Sequence, residues 1–248
     1  MTATKRAAEL LRESRHAVAL TGAGVSAESG IPTFRGEGGL WRTYDPVKVS
    51  SIDTFLADPA AYWQVSKERG RVALAARPNP GHDALAQLEA RGRISAVITQ
   101  NTDGLHQDAG SRHVIELHGS GRTVECLVCH RREPRAGVQA RLDREMPPLC
   151  TSCGSALLKP TVVLFGEAMP QAAVRDAFEL AESADVILVA GTSLVVYPAA
   201  EIPLVARRAG AAMIVVNAEP TPFDRFAEVV IHGRSGEVLP EIVSLIDA

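Results

Sequence analysis

Residues 99–119, TQNTDGLHQDAGSRHVIELHG, decide the fold because they connect a buried strand to a cysteine cluster. The residues just before them, 94–99 (ISAVIT), form a short apolar run rich in β-branched side chains, which predicts a buried strand. Polar side chains follow that strand at once, at Gln100, Asn101, Asp103 and His106. Ligands of open α/β sheets bind outside the carboxyl ends of the strands, so we expect these groups to converge on one bound molecule.

The same alternation of strand and helix recurs on both sides of this stretch. Six short apolar runs predict strands, at residues 17–20, 94–99, 161–165, 186–190, 212–216 and 229–231. Helical patterns separate most of them, which is typical of parallel strands joined by crossover helices. The pattern predicts an α/β fold, a doubly wound, Rossmann-like parallel sheet with a smaller inserted domain. Tyr62 and Trp63 lie in a predicted helical insert, and we interpret them as core residues.

A glycine-rich turn, TGAGVSAESG at residues 21–30, follows the first predicted strand. Glycines let backbone N–H groups approach a phosphate closely, so the turn indicates a nucleotide site. Its spacing is not G-x-G-x-x-G, and a tight turn that needs positive φ is the alternative. The next segment, residues 31–41, is rich in Gly and Pro and predicts a loop. Phe34 and Arg35 could close over a ligand there, with packing as the alternative.

The four cysteines form two CxxC pairs separated by 20 residues, Cys126 with Cys129 and Cys150 with Cys153. Two such pairs let four thiolates surround one zinc ion tetrahedrally. Because all four ligands are cysteines, we expect a structural zinc; a redox CxxC pair is the alternative. The charged segment between the pairs could not bury a core of its own without a metal.

The composition is that of a globular protein of 248 residues with 46% hydrophobic residues. A net charge of −3 argues against bulk binding to nucleic acid or membranes, and the local basic cluster of Arg131, Arg132 and Arg135 is interpreted as a solvated face. No apolar run approaches the ~18 residues that span a bilayer. Because the cysteines suit a metal site in a reducing compartment better than a disulfide framework, we expect a cytoplasmic protein. His82 is interpreted as a surface or capping residue.

Seven motifs in one order resemble the sirtuin family of NAD-dependent protein lysine deacylases. They are GAGVSAESGIPTFRG, TQNTDGLHQDAG, ELHG, the paired CxxC motifs, KPTVVLFGE, GTSLVVYPAA and VVNAEPT. The resemblance covers residues 17–240. It implies an NAD-binding domain formed by residues 1–36, 79–121 and 159–248. The implied small domain combines a helical module, residues 37–78, with a zinc-ribbon module, residues 122–158.

The resemblance also implies which residues bind NAD and one structural zinc ion. NAD would be consumed as a co-substrate, with nicotinamide beside the segment of Gln100, Asn101 and Asp103. The zinc ligands would be the four cysteines. The implied NAD-binding residues are Gly22, Ala23, Gly24 and Ser26 at the pyrophosphate, Phe34, Arg35, Gln100, Asn101 and Asp103 around the nicotinamide ribose and nicotinamide, and Gly191, Thr192, Ser193, Asn217, Glu219 and Ser235 at the adenosine end.

The reaction implied by the resemblance is removal of an acetyl group from lysine. The acetyl carbonyl oxygen would attack C1′ of the nicotinamide ribose, and His118, with Asn101 as a second catalytic residue, would act as general base on a ribose hydroxyl. The products would be lysine, nicotinamide and 2′-O-acetyl-ADP-ribose. The acetyl-lysine protein would bind as an extended peptide. The implied peptide contacts are Val162, Val163, Phe165, Gly166, Glu167 and Val195.

The preferred acyl group is inferred from a difference between this sequence and one group of relatives within the same family. Relatives that remove succinyl or malonyl groups have a Tyr-x-x-Arg pair in the helical insert, whereas here Tyr62 is followed three residues later by Val65. We therefore expect a neutral acyl pocket and weak desuccinylation. Three other interpretations of the function stay open. They are mono-ADP-ribosyl transfer, an NAD-sensing or zinc-ribbon binding module without enzymatic activity and, more distantly, a dehydrogenase.

Overall fold

The computed structural model describes residues 2–33 and 50–246. The predicted ligand-closing residues Phe34 and Arg35 lie outside the described residues. Among the residues described, no helix is both long and apolar enough to cross a membrane. The part of the chain that the structure describes contains nine strands, which are β1 Ala17–Thr21, β2 Val97–Thr99, β3 Val114–Glu116, β4 Thr123–Cys126, β5 Arg132–Pro134, β6 Leu158–Pro160, β7 Val186–Ala190, β8 Ala212–Asn217 and β9 Val229–His232.

Six strands form one parallel sheet in the order β3-β2-β1-β7-β8-β9. The order reverses between β1 and β7, so the crevice where such sheets bind ligands lies at the carboxyl ends of these two strands. The predicted doubly wound parallel sheet is confirmed. The helices and helical turns among the described residues are Ala3–Glu13, Ala23–Ser26, Ala27–Ser29, Ile52–Ala57, Pro59–Ala75, Pro80–Ala90, Leu105–Asp108, Arg135–Gln139, Gln171–Ser183, Ala199–Glu201, Ile202–Arg208, Asp224–Phe226 and Ser235–Ile246.

Helices cover both faces of the large sheet. Side chains alternate between faces along a strand, so β1 sends Ala17 and Ala19 to one face and Val18 and Leu20 to the other. The first face packs against the helices Ala3–Glu13, Pro80–Ala90 and Ser235–Ile246. The second packs against Gln171–Ser183 and Ile202–Arg208. Burial on both faces explains why these strands have continuous apolar sequences.

The small sheet has three antiparallel strands in the order β5-β4-β6. Its core includes Phe55, Tyr62 and Trp63 from the two helices of the insert, so the prediction that the two adjacent aromatics are core residues is confirmed. Trp63 is fully buried, and its indole Nε1 donates a hydrogen bond to the Leu158 carbonyl at 2.8 Å. This bond attaches the helical insert to the edge strand β6.

The predicted strand at residues 161–165 is wrong. Strand β6 ends at Pro160 and belongs to the small sheet, and residues 161–165 make a single bridge, between Phe165 and Ser51. The sixth strand of the large sheet is β3, which precedes His118. Residues 161–165 pack as a loop. The Val163 N–H donates to the His118 carbonyl at 2.8 Å and so does not pair with a neighbouring strand. The domain limits stay a prediction.

Candidate active site and zinc centre

Three glycines bring the ends of β1 and β7 into backbone contact at the crevice. The Gly24 N–H donates to the Gly191 carbonyl at 2.8 Å, and a Cβ added to Gly24 would lie 2.8 Å from the Gly191 Cα. A Cβ on Gly22 would lie 2.7 Å from the Cβ of Thr192. Ala23 begins the short helix after Gly22. The two turns can therefore meet only because these positions lack a Cβ, and they meet at the crevice where such sheets bind dinucleotides.

Ser26 lies at the centre of a polar network between the ends of β1 and β2. Its Oγ donates to Asp103 Oδ2 at 2.7 Å and accepts from Asn101 Nδ2 at 3.1 Å. Asn101 Nδ2 also donates to the Gly22 carbonyl at 3.1 Å, and Asp103 Oδ1 accepts from the Leu105 N–H at 2.9 Å. The structure therefore brings together four of the predicted residues, Gly22, Ser26, Asn101 and Asp103.

His82 completes this network, and the sequence analysis missed it. The Asn79 N–H donates to His82 Nδ1 at 3.3 Å, which leaves the ring proton of neutral His82 on Nε2, 3.4 Å from Ser26 Oγ. Burial lowers the pKa of His82, an effect that Asp103 opposes. The capping interpretation is confirmed, because His82 closes a capping box with Asn79, but the surface interpretation is wrong, because His82 is fully buried. The sequence signal was the Asn-Pro-x-His start of the helix.

His106 lies next to His82 and contacts Thr21 at the end of strand β1. Thr21 Oγ1 donates to Thr99 Oγ1 at 2.8 Å and lies 2.9 Å from His106 Nε2, which must therefore be the donor. The His106 ring centre is 4.9 Å from that of His82. Burial, with a smaller contribution from His82, lowers the pKa of His106 to about 3. Both histidines are consequently neutral at pH 7.

His118 follows β3, and its geometry suits a general base. Its Nδ1 lies 3.0 Å from the Gln100 carbonyl oxygen, which can only accept, so Nδ1 carries the proton. The lone pair of Nε2 is then available to take a proton from a substrate hydroxyl. Burial lowers the pKa of His118, and the bond to Gln100 opposes this shift. The neutral, base-competent form therefore predominates at pH 7.

One cavity of about 1300 Å³ joins this polar region to the small domain. Tyr62 and Arg69, both on the helix Pro59–Ala75, line its far side, and burial raises the pKa of Tyr62. Arg69 Nη1 donates to Ser50 Oγ at 3.1 Å. The sequence-predicted residues among its lining are Ala23, Ser26, Gln100, Asn101, Asp103, His118, Val162, Val163, Phe165, Gly166 and Glu167.

The residues predicted at the adenosine end lie along the same sheet edge, outside the lining of this cavity. Gly191, Thr192 and Ser193 follow β7, and Gln100 Nε2 donates to Thr192 Oγ1 at 3.0 Å. Asn217 ends β8, where its Nδ2 donates to the Glu219 carbonyl at 2.6 Å. Ser235 is buried at the start of the last helix. Val195, a predicted peptide contact, is 45% exposed.

The four cysteines converge in the small domain. Their Sγ atoms all lie within 4.8 Å of one another. Cys126 Sγ lies 3.6 Å from Cys153 Sγ, and Cys129 Sγ lies 3.6 Å from Cys150 Sγ. A tetrahedral zinc with Zn–S bonds of about 2.3 Å separates its sulfurs by roughly 3.8 Å, whereas a disulfide needs about 2.05 Å. The donor set fits a structural zinc, and the convergence of all four sulfurs favours a metal site over a redox pair.

Arg135 corrects the interpretation of the basic cluster as a solvated face. Arg131 and Arg132 are exposed, but Arg135 is 3% exposed and its guanidinium lies 4.6 Å from the Trp63 ring centre. It donates to the Ser66 carbonyl at 2.7 Å, and burial lowers its pKa to about 10. Arg135 therefore attaches the zinc-binding segment to the helix Pro59–Ala75.

A protein-family model described as the Sir2 family matches residues 22–198. The chain belongs to the Sir2 family. It is 54% identical to "NAD-dependent protein deacylase 2" of Archaeoglobus fulgidus over 96% of this chain and 94% of the relative. It is 49% identical to "NAD-dependent protein deacetylase" of Caldivirga maquilingensis over 97% and 92% of the two chains. The family predicted from the seven motifs is thus confirmed.

Solved Sir2 structures have the same fold. One Sir2 protein with a deacetylated p53 peptide and 3′-O-acetyl ADP-ribose has a TM-score of 0.93 at 43% identity, covering 97% of both chains. Sir2Af2 bound to a myristoylated histone peptide has a TM-score of 0.84 at 44% identity, covering 99% of this chain and 96% of that one. The predicted Rossmann-like fold with a smaller zinc-ribbon unit is confirmed.

Proposed function

We propose that this Sir2-family chain is an NAD-dependent protein lysine deacetylase, which releases nicotinamide and transfers the acetyl group to ADP-ribose. One observation carries the proposal. His118, with Nε2 available as a base, lines the same cavity as Asn101 and Asp103 on one side and Tyr62 on the other. A nicotinamide ribose and an acyl-lysine that enter this cavity from opposite ends would meet beside His118.

The polar network has a defined role in binding NAD, the co-substrate. The turn formed by Gly22, Ala23 and Gly24 would hold the pyrophosphate, because it lies at the crevice where such sheets bind dinucleotides. Asp103 would accept from the nicotinamide carboxamide, while Asn101 and Ser26 would orient the ribose. The predicted residues at the adenosine end are Gly191, Thr192, Ser193, Asn217, Glu219 and Ser235.

His118 would then act on the ribose. Its Nδ1–H is held by the Gln100 carbonyl, which fixes the ring orientation and leaves Nε2 as the only acceptor. Nε2 would remove the proton from a ribose hydroxyl, and the resulting oxygen would attack the former carbonyl carbon of the acetyl group. Loss of the lysine amine and addition of water would then give O-acetyl-ADP-ribose. The lowered pKa keeps the ring neutral for this step near pH 7.

The substrate would be an acetyl-lysine in an extended segment of a protein. The exposed apolar side chains of Phe165, Val195 and Tyr197 flank the proposed entrance. Backbone pairing demands little of the peptide sequence, so we expect broad peptide selectivity. The acyl pocket is proposed to favour neutral groups. Because Arg69 also lines the cavity, a succinyl peptide is the direct test of this preference.

Nicotinamide release from NAD with an acetyl-lysine peptide tests the proposal. We expect release with formation of O-acetyl-ADP-ribose, a loss of about 10²- to 10⁴-fold in His118→Ala, and slow turnover of a succinyl peptide. His113→Ala is the matched control, since His113 Nδ1 also contacts a backbone carbonyl, that of Ser95 at 3.2 Å, but the ring is exposed.

Three outcomes would contradict parts of the proposal. Labelled protein formed from labelled NAD without deacetylation would indicate ADP-ribosyl transfer. Bound NAD without nicotinamide release would indicate a sensor, and comparable succinyl and acetyl turnover would overturn the neutral pocket. We also propose a cytoplasmic location, because four cysteines arranged for a metal site suit a reducing compartment better than a disulfide framework does.

A further inference from the structure

Strand β6 carries a buried lysine that the proposed reaction does not use. The Lys159 side chain is 7% exposed. Its Nζ donates to Glu167 Oε2 at 2.9 Å, the Val162 carbonyl at 2.7 Å and the Pro160 carbonyl at 3.1 Å. An ammonium group has three protons, and each has a partner here. A buried ammonium is costly unless it is fully paired, so this geometry fixes its partners firmly.

Glu167 transmits this anchoring to the segment proposed to bind the peptide. Its Oε2 also accepts from the Leu164 N–H at 2.8 Å, while its own N–H donates to the Leu164 carbonyl at 3.0 Å. Residues 164–167 thus form a β-turn in which Gly166 has φ +89°, the geometry that favours glycine at the third position of a type II turn. Both backbone groups of Leu164 are occupied by Glu167.

Neighbouring backbone groups of this segment are occupied too. The Phe165 N–H donates to the Ser50 carbonyl at 2.9 Å, and the Phe165 carbonyl accepts from the Ile52 N–H at 3.0 Å. Gly166 is different: it is exposed, and among the described residues its N–H and carbonyl make no hydrogen bond. The turn therefore presents the exposed Gly166 backbone as an open pairing group beside the cavity.

We propose that Lys159 is a positioning residue for the acylated peptide. Acting through Glu167, it sets the 164–167 turn so that the Gly166 backbone can pair with an extended peptide. This inference rests on the proposed function, since it concerns how the same site holds its protein substrate. It predicts that Lys159 controls peptide binding and leaves NAD binding and the chemical step nearly unchanged.

Steady-state kinetics with separate titrations of acetyl peptide and NAD test the inference. For Lys159→Met we expect the KM for peptide to rise about tenfold, with kcat and the KM for NAD within about twofold of wild type. Lys159→Arg retains a cation and should recover most of the peptide affinity. Lys67→Met is the matched control, because Lys67 pairs with Asp143, whose side chain is 77% exposed, and such exposed ion pairs contribute little.

Glu167→Gln provides a second variant if Lys159→Met does not fold. The amide oxygen can still accept from the Leu164 N–H, but the charge that pairs with Lys159 is lost, so we expect a smaller rise in peptide KM. A wild-type peptide KM in the folded variants, or equal rises for peptide and NAD, would overturn the inference. Failure of the proposed function is distinguishable, because the wild-type protein would then not turn over the peptide at all.

Discussion

The two sheets of this protein are stabilised in different ways. In the large sheet, strands such as β1 and β7 are buried along their whole length between two layers of helices. In the small sheet, strands of three or four residues share a core with the helical insert, and two of the four cysteines are exposed. The large sheet has enough apolar burial to hold itself together, whereas the small one depends on a few specific links.

Removal of zinc should give the largest effect and the clearest test of this difference. In Cys150→Ser, or after chelation, we expect the small sheet to unfold and activity to fall more than about 100-fold, because structural zinc supplies roughly 10 kcal/mol or more to small domains. Hydrogen exchange checks this directly. Amides of β4 should lose protection, while those of β1 and β7 keep it.

Ser152→Ala is the control for this experiment, since Ser152 is exposed between two of the ligands. It should retain the metal and the protection of β4. Persistent protection of β4 in the metal-free protein would show that packing suffices there, and the proposed difference between the sheets would be wrong.

Acid should weaken the large sheet through His106. Its pKa is about 3 when folded and near 6.5 when exposed, so its contribution to stability is complete above pH 6.5 and is lost progressively as pH falls toward 3. Between pH 7 and pH 5 we expect a loss of about 2 kcal/mol in the free energy of unfolding from this group. Urea unfolding at the two pH values measures it.

His106→Gln should reduce this pH dependence, because its amide can donate to Thr21 but does not titrate. The exposed His113→Gln should leave the dependence unchanged. If wild type and His106→Gln lose the same stability between pH 7 and pH 5, burial of this imidazole does not limit the acid stability of the large sheet.

Much of the fold could be predicted because its signals are local. Apolar runs identified five strands of the large sheet, and cysteine spacing identified the metal centre. The run at residues 161–165 misled because apolar composition does not distinguish a strand from a packed loop. A strand must form backbone hydrogen bonds with a neighbouring strand, whereas the Val163 N–H is bonded to the His118 carbonyl.

The supporting residues of the site could not be predicted in the same way. Ser26 contacts His82 from 56 residues away and Asp103 from 77 residues away, and no periodicity encodes such distances. The motifs indicated that Ser26 and Asp103 belong together only through the family resemblance. The Asn-Pro-x-His start of its helix indicates only that His82 caps the helix. Its contact with Ser26, like the role proposed for Lys159, depends on burial and on which loop packs against the side chain.

Gly70→Ala should produce the smallest effect, on the link between the helical insert and the zinc-binding segment. A Cβ at Gly70 would lie 2.2 Å from Arg135 Nη2, and that buried guanidinium is held by Ser66 and Trp63. Displacing it should outweigh the ~1 kcal/mol gained in helix propensity, for a net loss of about 1–2 kcal/mol. Gly137→Ala, in open space within the helix Arg135–Gln139, should instead gain about 0.5–1 kcal/mol. Thermal unfolding of both variants decides: a gain in both would mean that Arg135 yields freely and does not fasten the small domain.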